Sequence, residues 1–140
     1  MDITLEQANR IIALALQRST EAGYKPMAVV VLDASGHTKS AQREDGASMF
    51  RIDIATGKAW ASIAMGVASR VLTERAKDLP AFFGALASTG NGKFIPQTGA
   101  VLIKDAQGHV IGAAGASGGT GDEDEAICIA GVEAAGLHSG

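Results

Sequence analysis

Apolar positions along the chain fall into two rhythms, one helical and one extended. Between Leu5 and about Ala22, the residues Ala8, Ile11, Ile12, Ala15 and Ser19 follow i, i+3, i+4, i+7 spacing, the stripe of a helix that covers a core. Thr4 and Gln7 stand at capping-box spacing, in which each side chain satisfies an orphan N–H. Gly23 stands where a glycine closing the helix belongs. Ala28 to Leu32 is a continuous, β-branched apolar run, the pattern of a strand buried on both faces. Asp33-Ala34-Ser35-Gly36 predicts a turn and Thr38–Gln42 the returning strand, closed by Arg43-Glu44-Asp45-Gly46.

The pattern then predicts a long helix from about Ser48 to Arg70, with Phe50, Ile54, Ala61, Met65 and Ala68 on its apolar side. Gly57 and Gly66 inside it cost about 1 kcal/mol each relative to Ala, which points to a close helix contact. A short helix over Val71–Leu79 and another from Pro80 to about Ala87 lead to a flexible loop, Ser88–Lys93. Val101–Ile103, the turn Asp105–Gly108 and Val110–Ala114 form a second hairpin. Gly115 to Gly121 reads as a glycine-rich loop. The final helix runs from Asp122, its expected N-cap, to about Ala135, with Ala126, Ile127, Ile129, Ala130 and Val132 as apolar positions. Asp33-Ala34-Ser35-Gly36-His37 and Asp105-Ala106-Gln107-Gly108-His109 match, either because one tight turn with glycine at positive φ is used twice or because a hairpin unit was duplicated. The order α-ββ-α-α-ββ-α predicts one α+β domain over residues 1–140, an antiparallel sheet flanked by helices.

Composition changes this picture in one respect. The chain holds 26 Ala and 18 Gly among 140 residues and only six aromatics, so its core must rest on aliphatic side chains and close backbone approach. A hydrophobic fraction of 46% excludes disorder. No apolar run reaches the roughly 20 residues of a membrane span. The start Met1–Glu6 lacks a basic region, so no secretory signal is expected and the protein reads as cytoplasmic. A net charge of −3 without clustered Lys and Arg argues against nucleic acid, and the lone Cys128 against a disulfide framework. Cys128 itself reads as a small buried hydrophobe.

Candidate chemistry begins at Ser117-Gly118-Gly119-Thr120, within the glycine-rich segment between a strand and a helix start. Exposed amides and the helix dipole suit a carboxylate or phosphate there, and a permissive connection explains the glycines equally well. The segment lacks the Gly-Lys-Ser/Thr ending of a phosphate loop. Lys58 lies on the apolar side of the long helix, either snorkelling at the stripe's edge, the preferred reading, or held in a pocket to meet an anion. Arg43 and Asp45 read as a surface ion pair or as a cap for the next helix. The run Asp122–Glu125 complements the helix dipole better than it builds a metal cage. A cofactor-free enzyme or sensor for a small carboxylate-bearing metabolite would use Ser117, Gly118, Gly119 and Thr120 for the anion, Lys58 and Arg43 for charge, and Asp45 or Asp124 for proton transfer. His37 and His109 read as solvated turn residues and His138 as part of a disordered tail.

In order along the chain, Ala28–Gly36, Arg43–Ala47, Ile54–Ala59, Gly112–Thr120 and Asp124-Glu125-Ala126 resemble the haem-degrading HbpS-like family, which includes the glycolate-operon protein GlcG and the C-terminal domain of PduO-type corrinoid adenosyltransferases. The resemblance spans nearly the whole chain. It implies an antiparallel sheet flanked by helices of the profilin and PAS class, self-association as dimers or larger assemblies such as octamers, and a small-molecule ligand, haem or a related tetrapyrrole. It also implies an accessory role in haem degradation. Toward haem the chain offers His37, His109, Met49 and Met65 as ligands. The histidines by which PduO-type domains hold haem in their first helix have no counterpart in Leu5–Glu21, and Thr98–Leu102 lacks the family's usual proline.

Overall fold

The computed structural model describes residues 1–140. Helix α1 covers Leu5–Ala22, held at its start by the reciprocal Thr4–Gln7 capping box and ended by Gly23 at φ 71°. The predicted stripe, Ala8, Ile11, Ile12, Ala15 and Ser19, is the buried side. Strands β1 (Ala28–Asp33) and β2 (Thr38–Arg43) form the first hairpin; β3 (Ala100–Lys104) and β4 (Val110–Ser117) form the second. Three helices lie between the hairpins: α2 (Phe50–Met65), α3 (Ser69–Asp78) and α4 (Pro80–Thr89). Helix α5 (Gly121–Ala134) follows, and β5 (His138–Ser139) ends the chain. The sheet is antiparallel throughout, in the order β2-β1-β4-β3-β5.

Strand alternation divides the core into two layers. Val29, Val31, Val101 and Ile103 point toward α1 and α5, while Val30, Leu32, Ala100 and Leu102 point toward α2. The abundance of small residues has its structural use at the second layer. A Cβ on Gly115 of β4 would lie 2.3 Å from the Ala55 carbonyl of α2, so helix and strand meet backbone to backbone. The two matching turns are the same turn: Asp33 Oδ1 accepts from the amides of Ser35 and His37, and Asp105 Oδ1 from those of Gln107 and His109.

The architecture departs from the expected order in several places. The long helix stops at Met65 rather than Arg70, because Gly66 turns left-handed at φ 70° and its N–H caps Ser62 O. Gly66 is thus a terminator, with nothing near a Cβ built on it, and Gly57 faces the side chain of Ile95 rather than another helix. Three helices separate the hairpins, as the individual segments predict, and not the two of the expected order; Leu79, preceding Pro80, leaves helical space at φ −128° and breaks α3 from α4. The first three residues of the supposed glycine-rich loop are strand, since Gly115, Ala116 and Ser117 pair with Val30, Val29 and Ala28. Thr120, not Asp122, caps α5, through a capping box with Glu123. His138 is not in a disordered tail: it pairs with Lys104 as part of β5, and Gly140 exchanges backbone hydrogen bonds with Leu102.

Candidate functional site

Helix α2, the end of β4 and the start of α5 converge on one polar cleft of about 460 Å³, whose single apolar wall is Ile54. Lys58 enters it from α2 with its side chain only 7% exposed, so the snorkelling reading does not hold. Its ammonium donates to Asp124 Oδ2 at 2.9 Å and to the Ala116 carbonyl at 3.1 Å. A Cβ on Gly99 would come within 2.7 Å of Lys58 Nζ, so this glycine makes the room in which the lysine lies. Asp124, 2% exposed at its side chain, also accepts from the Gly119 amide at 2.9 Å. Burial pushes the Asp124 carboxyl above the usual range, while Lys58 and the Gly119 amide pull it back.

The other acids of α5 are matched as well. Glu123 closes the capping box on the Thr120 amide. Arg70 of α3 bridges Asp122 and Glu125, which raises the guanidinium pKa further. Of the four loop residues expected to hold an anion, Gly119 and Thr120 already donate their amides to Asp124 and Glu123, and the Ser117 hydroxyl accepts from Arg51 Nη1 at 3.1 Å. Gly118 does not line this cleft but an adjoining one, with Tyr24 and Lys25, and packs against Pro26 and Met27. Cys128 lies beneath the site, fully buried, its thiol pKa pushed up by burial.

Arg43 and Asp45 stand elsewhere, at a shallow cleft with Leu16 and Gln42. They form no ion pair; Arg43 Nη1 donates to the Ala47 carbonyl, and no side chain caps α2. Of the expected proton-transfer and charge residues, the fold therefore brings Lys58 and Asp124 together and leaves Arg43 and Asp45 apart. Arg51, Gln97 and Thr98 were not foreseen. For Arg51 a signal existed: it precedes Lys58 by seven residues, two helical turns on the same side.

A larger cleft of about 820 Å³ lies on another side of α2, between the β1–β2 turn and the loop after α4. His37, Trp60, Asp53 and Lys93 border it. The His37 side chain is 81% exposed, with Nδ1 3.8 Å from Asp33 Oδ1. His109 has the equivalent relation to Asp105, at 3.5 Å, but borders no such cleft. Both aspartates are held below the usual carboxylate range, chiefly by the backbone amides of those histidines. Met49 is exposed, and Met65 packs with the small cluster around Phe83 and Phe94. No helix is long and apolar enough to cross a membrane.

A model of the haem-degrading HbpS-like proteins matches residues 3–133. The corrinoid adenosyltransferase PduO of Citrobacter freundii is 26% identical over 134 residues, which are 96% of this chain and 39% of that protein. The chain thus spans well under half the length of this curated relative. Among solved structures, PduOC in complex with haem superposes with a TM-score of 0.86 at 26% identity, covering 100% of this chain and 98% of that one. Protein ORFY of Klebsiella pneumoniae gives 0.86 at 27% identity, covering 96% and 90%.

Proposed function

The chain belongs to the haem-degrading HbpS-like family, and from that membership we propose that it binds haem or a related tetrapyrrole, with an accessory role in haem degradation. The likeness to PduOC in its haem complex, over the full chain, carries the reading. The donor set beside the larger cleft fits such a ligand. Its volume of about 820 Å³ falls in the range of roughly 300–1,000 Å³ usual for small-molecule sites. His37 would hold the iron through Nε2, with the Asp33 carboxylate 3.8 Å from Nδ1 as a nearby negative charge. Trp60 would lie against the macrocycle and Lys93 would meet a propionate. When bound, haem supplies the iron chemistry; the chain's residues bind and orient it.

A single chain gives that cleft only one apolar side chain, Trp60. Phe50, 63% exposed, lies on the same side of α2 as Asp53, Gly57 and Trp60, at i, i+3, i+7 and i+10. A homo-oligomer, dimer or larger, that covers this side would complete the apolar enclosure a porphyrin favours. Titration of the purified protein with hemin tests the proposal: a saturable Soret shift is expected, lost in His37→Ala and kept in His109→Ala. No saturable shift at micromolar hemin would refute tetrapyrrole binding, and an unaltered shift in His37→Ala would refute His37 as the ligand.

A further inference from the structure

The polar cleft over Lys58 and Asp124 is separate from the cleft at His37 and opens on another side of α2. Its cations are not all held in ion pairs. Asp124 is paired with Lys58, and Arg70 is shared between Asp122 and Glu125. Arg51 is left: half-buried at the same cleft, it forms no ion pair with any carboxylate of the chain. One of its five N–H donors is used, by the Ser117 hydroxyl, which aims the guanidinium. Lys58 has a third ammonium proton for which the chain supplies no acceptor.

The two cations are also convergent. Arg51 and Lys58 start about 10 Å apart along α2. Their heads anchor on consecutive residues at the end of β4, Ser117 and Ala116. A group placed between them would meet a planar fork on one side and an ammonium on the other. The amides of Gly121 and Asp122, first in α5, have no partner within the chain and belong to residues that line the same cleft. Thr98, whose hydroxyl is held 3.0 Å from that of Thr73, adds a neutral polar group.

We infer that this cleft is a second binding site, for a small monocarboxylate bearing a further oxygen, hydroxyl or carbonyl, near the carboxyl group. The carboxylate pairs with Arg51, where fork and carboxylate match in shape, and the second oxygen accepts from Lys58. A single carboxylate is specified because one guanidinium at the cleft, that of Arg51, is in no ion pair. A planar macrocycle is disfavoured by a volume of about 460 Å³, against about 820 Å³ for the cleft at His37.

The test is calorimetric titration and thermal melting of the full chain with lactate and pyruvate. Lactamide and pyruvamide serve as uncharged counterparts, and sodium chloride is matched in ionic strength. At least one carboxylate is expected to bind saturably and raise the midpoint, because a ligand of the native state alone stabilises it; the amides are expected to do neither. Arg51→Gln is expected to weaken binding about tenfold or more while hemin titration of the same variant is unchanged, so that this site and the tetrapyrrole reading stand or fall separately. If Arg51→Gln does not fold, Arg51→Lys keeps the charge without the fork and is expected to weaken binding at least threefold. Absence of saturation by both carboxylates, equal effects of the amides, or undiminished binding in the Arg51 variant would overturn the inference.

Discussion

Replacing Lys58 by Met keeps most of the buried stem and deletes the ammonium. The Asp124 carboxylate then stays in the interior with one hydrogen bond, from Gly119, and no ion pair, only the more distant charge of Arg51. Both side chains are nearly inaccessible, at 7% and 2%, so water does not screen the loss. Removing one partner of a buried pair costs about 3–5 kcal/mol. For a domain of this length, that corresponds to a fall in Tm of about 10–15 °C. Urea denaturation followed by far-UV circular dichroism reads the cost, and the double variant Lys58→Met/Asp124→Leu supplies the control. Apolar replacement of both charges is expected to recover most of the loss, since no unpaired charge remains.

The pH dependence checks the cause. Burial raises Asp124 from 3.8 and Lys58 lowers it, so Lys58→Met leaves the folded carboxyl raised further above its unfolded value. Such a group contributes most to stability below the unfolded value, and the contribution disappears as pH rises through the folded one. The penalty of Lys58→Met is therefore greatest at neutral pH and shrinks as pH falls toward 3.8. A loss below about 1 kcal/mol, the value of an exposed pair, or a penalty that grows on acidification, would refute the assignment of a buried, mutually dependent pair.

Three further outcomes are expected. Gly115→Ala forces a Cβ to within 2.3 Å of the Ala55 carbonyl and is expected to cost about 3 kcal/mol or more, whereas Gly84→Ala, with open space around it in α4, is expected to gain about 0.5–1 kcal/mol; thermal melts of the two variants check this. Asp33 and Asp105 have lowered pKa values, so their contribution is present above the unfolded value of 3.8 and is lost as pH falls through the folded ones; Asp33→Ala/Asp105→Ala should flatten the acid limb of the stability curve measured by urea titration. Cys128, fully buried with a raised pKa, is expected to resist a thiol reagent in native buffer and to react once urea unfolds the chain; rapid reaction of the native protein would contradict its burial.

Elements with side-chain rhythm were legible in advance. The stripe of α1, the doubly buried β1 and the twin Asp-x-x-Gly turns follow from period and turn chemistry that act over a few residues. Elements written in glycine and alanine were not. Gly115 and Ala116 carry so little side chain that strand and loop look alike until β1 pairs with them. The α5 cap was readable but misplaced: Thr120 and Glu123 have the same capping-box spacing that marked α1, and the acids after them drew the boundary two residues too late. The end of α2 at Gly66 was likewise written as a glycine, but an interior packing glycine and a left-handed terminator are the same letter.

The site divides along the same line. Local spacing determined that Lys58 lies on the inner side of a helix and that the Gly-Thr segment precedes a helix start. Only the tertiary structure decided that Lys58 meets Asp124, 66 residues away, and that the Gly119 and Thr120 amides serve the protein's own carboxylates. It also decided that Arg51, with no partner among those acids, is the cation left facing the cleft. Periodicity reports which side of an element is buried, because burial repeats with the backbone. Charge pairing depends on where separate elements cross, and that is set by the close approach of α2 to the Gly-Ala end of β4.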